Sequence, residues 1–189
     1  MKKIILTAAA VFTFGFANAQ DKEEMSFGVK GGLNISSITD VDQYGVNSNA
    51  LVGFHVGVFG ECMVSDKFAV QPELLYSTQG VKFDEGGDTK LNYIIIPVMA
   101  KYYVADAFSL ELGPQIGFLV SAKENDVDIK DDVKSTDFSV NFGAAYDITE
   151  NLMLGVRYNL GVTRWQKELF PGESESKNSV FQVSLGYKF

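Results

Sequence analysis

The chain has 189 residues and a formal charge of -8, from 16 Lys and Arg against 24 Asp and Glu. The length fits a leader and one domain, and an acidic chain without a basic tract has no surface for nucleic-acid phosphates. Gly (18), Phe (15) and Tyr (8) are frequent, Pro (4) is scarce, and the sole cysteine, Cys62, excludes an internal disulfide.

The first 19 residues read as a secretory signal peptide. Lys2 and Lys3 form a positive start, residues 4–16 are nearly all apolar, and Ala17-Asn18-Ala19 supplies a small-x-small cleavage pattern. A membrane-spanning helix needs about 20 apolar residues. This run is shorter and meets Asp21, Lys22, Glu23 and Glu24 at once. The expected organisation is a signal peptide at 1–19 and one domain at 20–189, with a charge near -10 once Lys2 and Lys3 are gone. No cysteine stands at the cleavage site to carry a lipid anchor. Cys62 falls late in a strand and reads as a small apolar residue.

Eight segments with period-2 alternation follow, at 25–36, 51–63, 68–82, 90–104, 108–121, 138–148, 152–164 and 179–189. Successive side chains of a strand leave opposite faces, so each segment has two readable faces. The first presents Phe27, Val29, Gly31, Leu33 and Ile35 on one side. The second presents Val52, Phe54, Val56 and Val58, and the third Phe68, Val70, Pro72, Leu74 and Tyr76. The fourth is the least regular, with Ile94, Ile96, Val98, Ala100 and Tyr102. The fifth gives Phe108, Leu110, Leu112, Pro114, Ile116 and Phe118. The sixth gives Phe138, Val140, Phe142, Ala144 and Tyr146, and the seventh Leu152, Leu154, Val156, Tyr158 and Leu160. The last carries Phe181, Val183, Leu185, Tyr187 and Phe189 against Gln182, Ser184, Gly186 and Lys188.

The connections alternate in length. Residues 64–67, 105–107 and 149–151 are tight turns, whereas 37–50, 83–89, 122–137 and 165–178 are longer and mostly polar. This is the layout of a transmembrane barrel with short periplasmic turns and long extracellular loops. An even strand count puts both ends on the periplasmic side and all four long loops on the other. The expected fold is therefore all-β: an eight-stranded antiparallel transmembrane β-barrel, an up-and-down meander. Mean hydropathy is close to neutral because alternation dilutes each span with polar residues. Closure is required, because an open edge in hydrocarbon leaves backbone groups unpaired at several kcal/mol each. Pro72, Pro97 and Pro114 fall inside strands and each removes a donor, which calls for a bulge or a relaxed pair there.

Parity puts Lys30, His55, Glu61, Glu73, Lys101, Glu111, Asp147, Arg157 and Lys188 on the other face. Gly28, Gly32, Gly53, Gly57, Gly113, Gly117, Gly143, Gly155 and Gly186 share it, as do Phe59, Tyr93, Ile95, Met99, Leu119 and Met153. Eight strands enclose room for side chains or one small ligand. Opposite charges in that space are driven to pair, since unpaired burial is costly. Phe27, Phe68, Tyr102, Phe108, Tyr187 and Phe189 form one aromatic girdle, and Tyr76, Phe118, Phe138, Tyr158 and Trp165 the other. The girdles and the leader put the apolar face outward, against lipid.

No motif is specific for a cofactor. Gly31-Gly32-Leu33-Asn34 is strand glycine, since no helix follows it. His55 reads as a hydrogen-bonding core group; a Ser–His–acid site would need the fold to bring a serine beside it. Residues 124–132 are acidic and offer oxygen ligands for Ca²⁺, but they lack the spacing of an EF-hand and read as a solvated loop. No residue is assigned as catalytic, cofactor-binding or metal-binding.

Several segments carry a family resemblance: Phe27-Gly28-Val29-Lys30-Gly31-Gly32-Leu33-Asn34, Tyr93-Ile94-Ile95-Ile96-Pro97-Val98 with Lys101-Tyr102, Leu112-Gly113-Pro114-Gln115-Ile116-Gly117, and Leu185-Gly186-Tyr187-Lys188-Phe189. The chain resembles the small outer-membrane β-barrel proteins of Bacteroidota, the porin-family or PorT-like barrels. Ile95 stands where an acidic residue is common in that family. The resemblance implies an outer-membrane location and assembly through the barrel assembly machinery, which reads the terminal aromatic strand. The expected function is non-enzymatic, envelope-structural or surface-binding, with a closed ion-paired interior. A narrow channel or lateral transporter for small or hydrophobic solutes is the alternative. The expected partners are outer-membrane lipid, the assembly machinery during biogenesis and an extracellular ligand at the long loops. Nucleic acid is not among them, and the barrel is expected to be a monomer.

Overall fold

The computed structural model describes residues 25–38, 48–83, 87–164 and 177–189. The signal-peptide reading of 1–19, the middles of the loops at 37–50, 83–89 and 165–178, and Trp165 lie outside the described residues.

Every alternating segment is a strand. They are β1 (Met25–Ile38), β2 (Ser48–Ser65), β3 (Phe68–Phe83), β4 (Gly87–Ala105), β5 (Phe108–Glu124), β7 (Thr136–Asp147), β8 (Leu152–Arg164) and β9 (Lys177–Lys188), with a two-residue strand, β6 (Val127–Asp128), between β5 and β7. The strands overrun the expected bounds chiefly on the long-loop side, where β3 and β4 use up most of 83–89. Each long strand pairs antiparallel with its neighbours, β9 pairs with β1, and β4 pairs with β5, so the sheet closes on itself. At the seam, Phe189 N donates to Phe27 O at 2.8 Å. Partners followed from Met25 through Cys62, Val70, Ala100, Leu112, Phe142, Tyr158 and Phe181 return at Ile35. That stagger is the shear that tilts the strands of a closed barrel.

The two faces divide as parity requires. Leu33, Val52 and Leu112 are 59, 67 and 58 % exposed on the outside, while Glu73 and Lys101 are 0 % exposed inside. An apolar wall this continuous is far larger than a soluble monomer presents to water. It surrounds a polar interior, the reverse of a soluble barrel.

The prolines behave differently from one half of the expectation. No register shift occurs at Pro72, Pro97 or Pro114. The shifts lie elsewhere, between Ala50 and His55 on β2, at Met63–Ser65, at Asn92–Tyr93, at Tyr103–Ala105 and between Leu160 and Arg164. The step opposite Asn92–Tyr93 reverses the parity of β5: Leu119 and Ala122 are both buried, where strict alternation would have turned Ser121 inward.

Candidate functional site

Among the described residues, the buried ionisable side chains gather in the lumen. At the mouth on the side of the short turns Glu61 is the hub. It accepts from Lys101 Nζ on one oxygen, and on the other from Tyr103 OH and Lys188 Nζ, both at 3.0 Å. Lys188 also meets Asp147 at 3.3 Å. These groups open onto a cavity of about 610 Å³ bounded by Met25, Met63, Asp66 and Lys67.

Directly above it Phe59, Ala145 and Met153 form a buried apolar cluster. Gly28 and Gly186 make room for it. A Cβ at Gly186 would lie 2.8 Å from Met153 Cε, and one at Gly28 would overlap the Phe59 ring.

The central cluster is built on Arg157. Its Nη1 and Nη2 reach Glu73 Oε2 and Oε1 at 3.0 and 2.9 Å, and its Nη2 reaches Glu111 Oε2 at 2.7 Å. Lys30 Nζ lies 3.2 Å from Glu73 Oε1, and Gln71 Nε2 donates to the same oxygen at 2.6 Å. The planar guanidinium can serve two carboxylates at once because its donors are fixed in a fork. Glu73 and Glu111 thus share Arg157, while Lys101 turns to Glu61 instead.

Above the ions lies an uncharged network. Asn34 Nδ2 donates to Phe54 O at 3.0 Å and Thr78 O at 2.8 Å. Both are carbonyls and can only accept, so they fix the amide and turn Oδ1 toward His55 Nδ1, 2.8 Å away. His55 Nδ1 must then carry the proton, and Nε2 accepts from Ser184 Oγ at 2.9 Å. The fold does bring a serine to His55, with an asparagine in the third position. All three are buried, and the imidazole is packed so close to β1 that a Cβ at Gly32 would lie 2.8 Å from its Cε1. The set is a filled hydrogen-bonded core.

The loop-side end is apolar on one wall. Leu75, Leu91, Tyr93, Ile95, Leu119 and Ala122 form a buried cluster, and Val133 is buried with them while Ile129 packs against it. The acidic 124–132 stretch is therefore more than a solvated loop. It turns back through Ile129 N to Ala122 O (3.1 Å) and Leu119 N to Ser135 O (2.9 Å), and so delivers Val133 to the barrel mouth. Among the described residues, no three His, Cys, Asp or Glu side chains come together as a metal site.

All nine ionisable groups that parity turned inward face the lumen; Asp147 and Lys188 are half-buried at its mouth. Attention to charges and glycines passed over Asn34, Ser77, Gln71 and Gln79, which the same alternation turns inward, and gave Gln182 and Ser184, read on the polar face of the last strand, no partners. Tyr103 shares the inward parity of Lys101 and was passed over in the same way, whereas Val133, between the strands, had no such signal.

The sequence profile of the outer membrane protein beta-barrel domain family matches residues 6–189. No curated protein matches closely enough to count as a relative. Among solved structures, Neisserial surface protein A (NspA) aligns at a TM-score of 0.60 with 15 % identity, over 88 % of this chain and 100 % of that one. Ail, the attachment invasion locus protein of Yersinia pestis, aligns at 0.55 with 14 % identity, over 88 % and 99 %. At those identities the likeness is one of fold.

Proposed function

The chain belongs to the outer membrane protein beta-barrel domain family and resides in the outer membrane, and from that premise we propose a non-enzymatic barrel with a closed lumen, working in envelope structure or through its loop surface. The observation that supports this reading is the filling of the lumen in successive layers. The Phe59–Met153 cluster, the Arg157 ion cluster, the Asn34–His55–Ser184 network and Val133 stand one above another along its axis. An eight-stranded barrel has little volume to spare beyond its side chains. In this reading residues 1–19 are a cleaved signal peptide, residues 20–189 form a monomeric barrel, and the assembly machinery reads the terminal Tyr187 and Phe189. The segments between β1 and β2, β3 and β4, β5 and β7, and β8 and β9 face outward and offer the surface for an extracellular ligand.

The alternative is a narrow channel or lateral route for small or hydrophobic solutes. It draws on the 610 Å³ periplasmic cavity and needs a continuous path past Phe59 and Arg157. Liposome swelling in small sugars distinguishes the two. Vesicles carrying the folded protein should swell no faster than protein-free ones while an open porin swells its own. Swelling that scales with the amount of folded protein would favour the alternative.

A further inference from the structure

Lys101 stands between two carboxylates and is given to one of them. Its Nζ bonds Glu61 Oε2 and lies 3.7 Å from Met153 Sδ and 5.2 Å from the centre of the Tyr103 ring. Its direct partner in the β4–β5 ladder is Glu111. In the β3–β4 ladder Lys101 faces Ala69 and Met99 faces Gln71, so Gln71 is its diagonal neighbour on the same face. Direct partners in an antiparallel pair have Cβ atoms about 4.5–5.5 Å apart and diagonal ones lie roughly 7–8 Å apart, both within reach of a long side chain.

The groups on that side are short of donors. Glu111 Oε1 and Gln71 Oε1 are both buried and accept no hydrogen bond from the described residues. The rest of each group is already engaged. Arg157 Nη2 donates to Glu111 Oε2 at 2.7 Å, and Gln71 Nε2 donates to Glu73 Oε1 at 2.6 Å. Arg157 Nη2 and Glu73 Oε1 are themselves 2.9 Å apart, so both unpaired oxygens belong to one cluster and flank β4 from its two neighbours. A buried acceptor without a donor is costly. An ammonium carries three donors and no acceptor, which is what two such oxygens call for.

The charge count holds Lys101 at Glu61. The cluster at the short turns sets Lys101 and Lys188 against Glu61 and Asp147. The central cluster sets Lys30 and Arg157 against Glu73 and Glu111. Each is balanced, and moving Lys101 inward would leave a carboxylate over in the first and a cation over in the second. Unpaired buried charge is expensive, so the move is opposed. Neutralising Glu61 or Asp147 removes that opposition. One positive charge is then left over wherever Lys101 sits, and the central cluster offers it two unpaired acceptors. Tyr103 OH and Lys188 Nζ, both at 3.0 Å, still serve Glu61 when Lys101 leaves. Glu61 and Asp147 line the cavity of about 610 Å³, so the charge that holds Lys101 is the part of the network reached from outside the barrel.

We propose that Lys101 is a cation with two seats: it stays on Glu61 while the short-turn cluster keeps both carboxylates, and it transfers to Glu111 and Gln71 when one of them is neutralised. The device ties the charge state of the cavity to the centre of the barrel. It holds whether or not the lumen conducts.

The test compares the folded full chain with Glu61→Gln and with Asp147→Asn, the second change falling on the half-buried carboxylate at the mouth, where folding is least at risk. Folding is checked by heat-modifiable migration. Crystal structures should show Lys101 Nζ on Glu61 in the parent and within hydrogen-bond distance of Glu111 Oε1 in the variants. The urea midpoint for unfolding from bilayers gives an independent reading. Lys101→Met and Glu111→Gln should couple weakly in the parent and several-fold more strongly once Glu61 or Asp147 is neutralised, since coupling follows contact. Lys101 Nζ remaining beside Met153 Sδ in the variants, with a water on Glu111 Oε1 or with nothing there, would overturn the second seat. Equal coupling in all three proteins, or none in any, would overturn the dependence on charge.

Discussion

Arg157 shows how much one side chain can hold in a lumen. It bridges Glu73 on β3 and Glu111 on β5, strands that are not neighbours of its own. Removing it leaves Glu111 with no ion pair among the described residues and Glu73 with Lys30 alone. Breaking a buried pair costs roughly 3–5 kcal/mol, less where water follows. Arg157→Ala should lower the urea midpoint for unfolding from lipid bilayers, read by heat-modifiable migration. In a double-mutant cycle with Glu111→Gln the two changes should be non-additive by about 1 kcal/mol or more, the scale of contacting groups. Additive losses would remove the direct coupling. A second residue-scale contrast comes from two glycines. A Cβ on Gly57 would lie 2.8 Å from Leu75 Cα and collide with Leu74 O, whereas on Gly155 its nearest neighbour, Ala144 O, is 3.9 Å away. Gly57→Ala should destabilise by about 1–3 kcal/mol, as overpacking does, and Gly155→Ala should be nearly neutral. Equal effects in the same urea titration would contradict this reading of the packing.

The strands were legible from alternation alone, because lipid outside and charge inside demand strict period 2. Legibility failed where that period fails. At Leu119–Ala122 an extra residue turns the chain without any change in composition, and parity counting runs past it. The same limit hid the fold-back of 125–135. Its acids read as a solvated loop, while the residue that decides its position is the single buried Val133. Ser184 beside His55 was out of reach for another reason: its contact spans 129 residues and arises only when β9 closes on β1. The element-scale prediction concerns the fold-back. Val133→Asp would put a charge in an apolar cluster, so the segment should leave the mouth while the strands stay formed. Protease added outside intact cells should then cut within 125–135 faster than in the parent. Unchanged cutting, with surface exposure of the segment established by an impermeant thiol reagent on Asp132→Cys in a Cys62→Ala background, would show that Val133 does not hold it.

At the scale of the whole molecule the barrel is a sheet turned inside out. Its greasy face meets lipid, so its stability draws less on a central apolar core than on closure and on paired interior polar groups. Alternation predicts that inversion, and parity listed the inward ions, but not their partners. Lys101 lies opposite Glu111 in the ladder yet turns toward Glu61, because the shear of the barrel offsets strands and makes the lumen a space of long-range neighbours. The same geometry carries the central claim, that stacked side chains close the lumen. Conductance across a planar bilayer tests it most directly. Folded protein inserted at high copy should leave the membrane at its protein-free conductance across the applied voltage range. Arg157→Ala, if it stays folded, should open at most brief, irregular events, since Phe59 and Met153 still block the half toward the short turns. Steady, reproducible open channels from the unmodified protein, with a conductance that changes when Arg157 or Glu111 is replaced, would contradict the closed lumen.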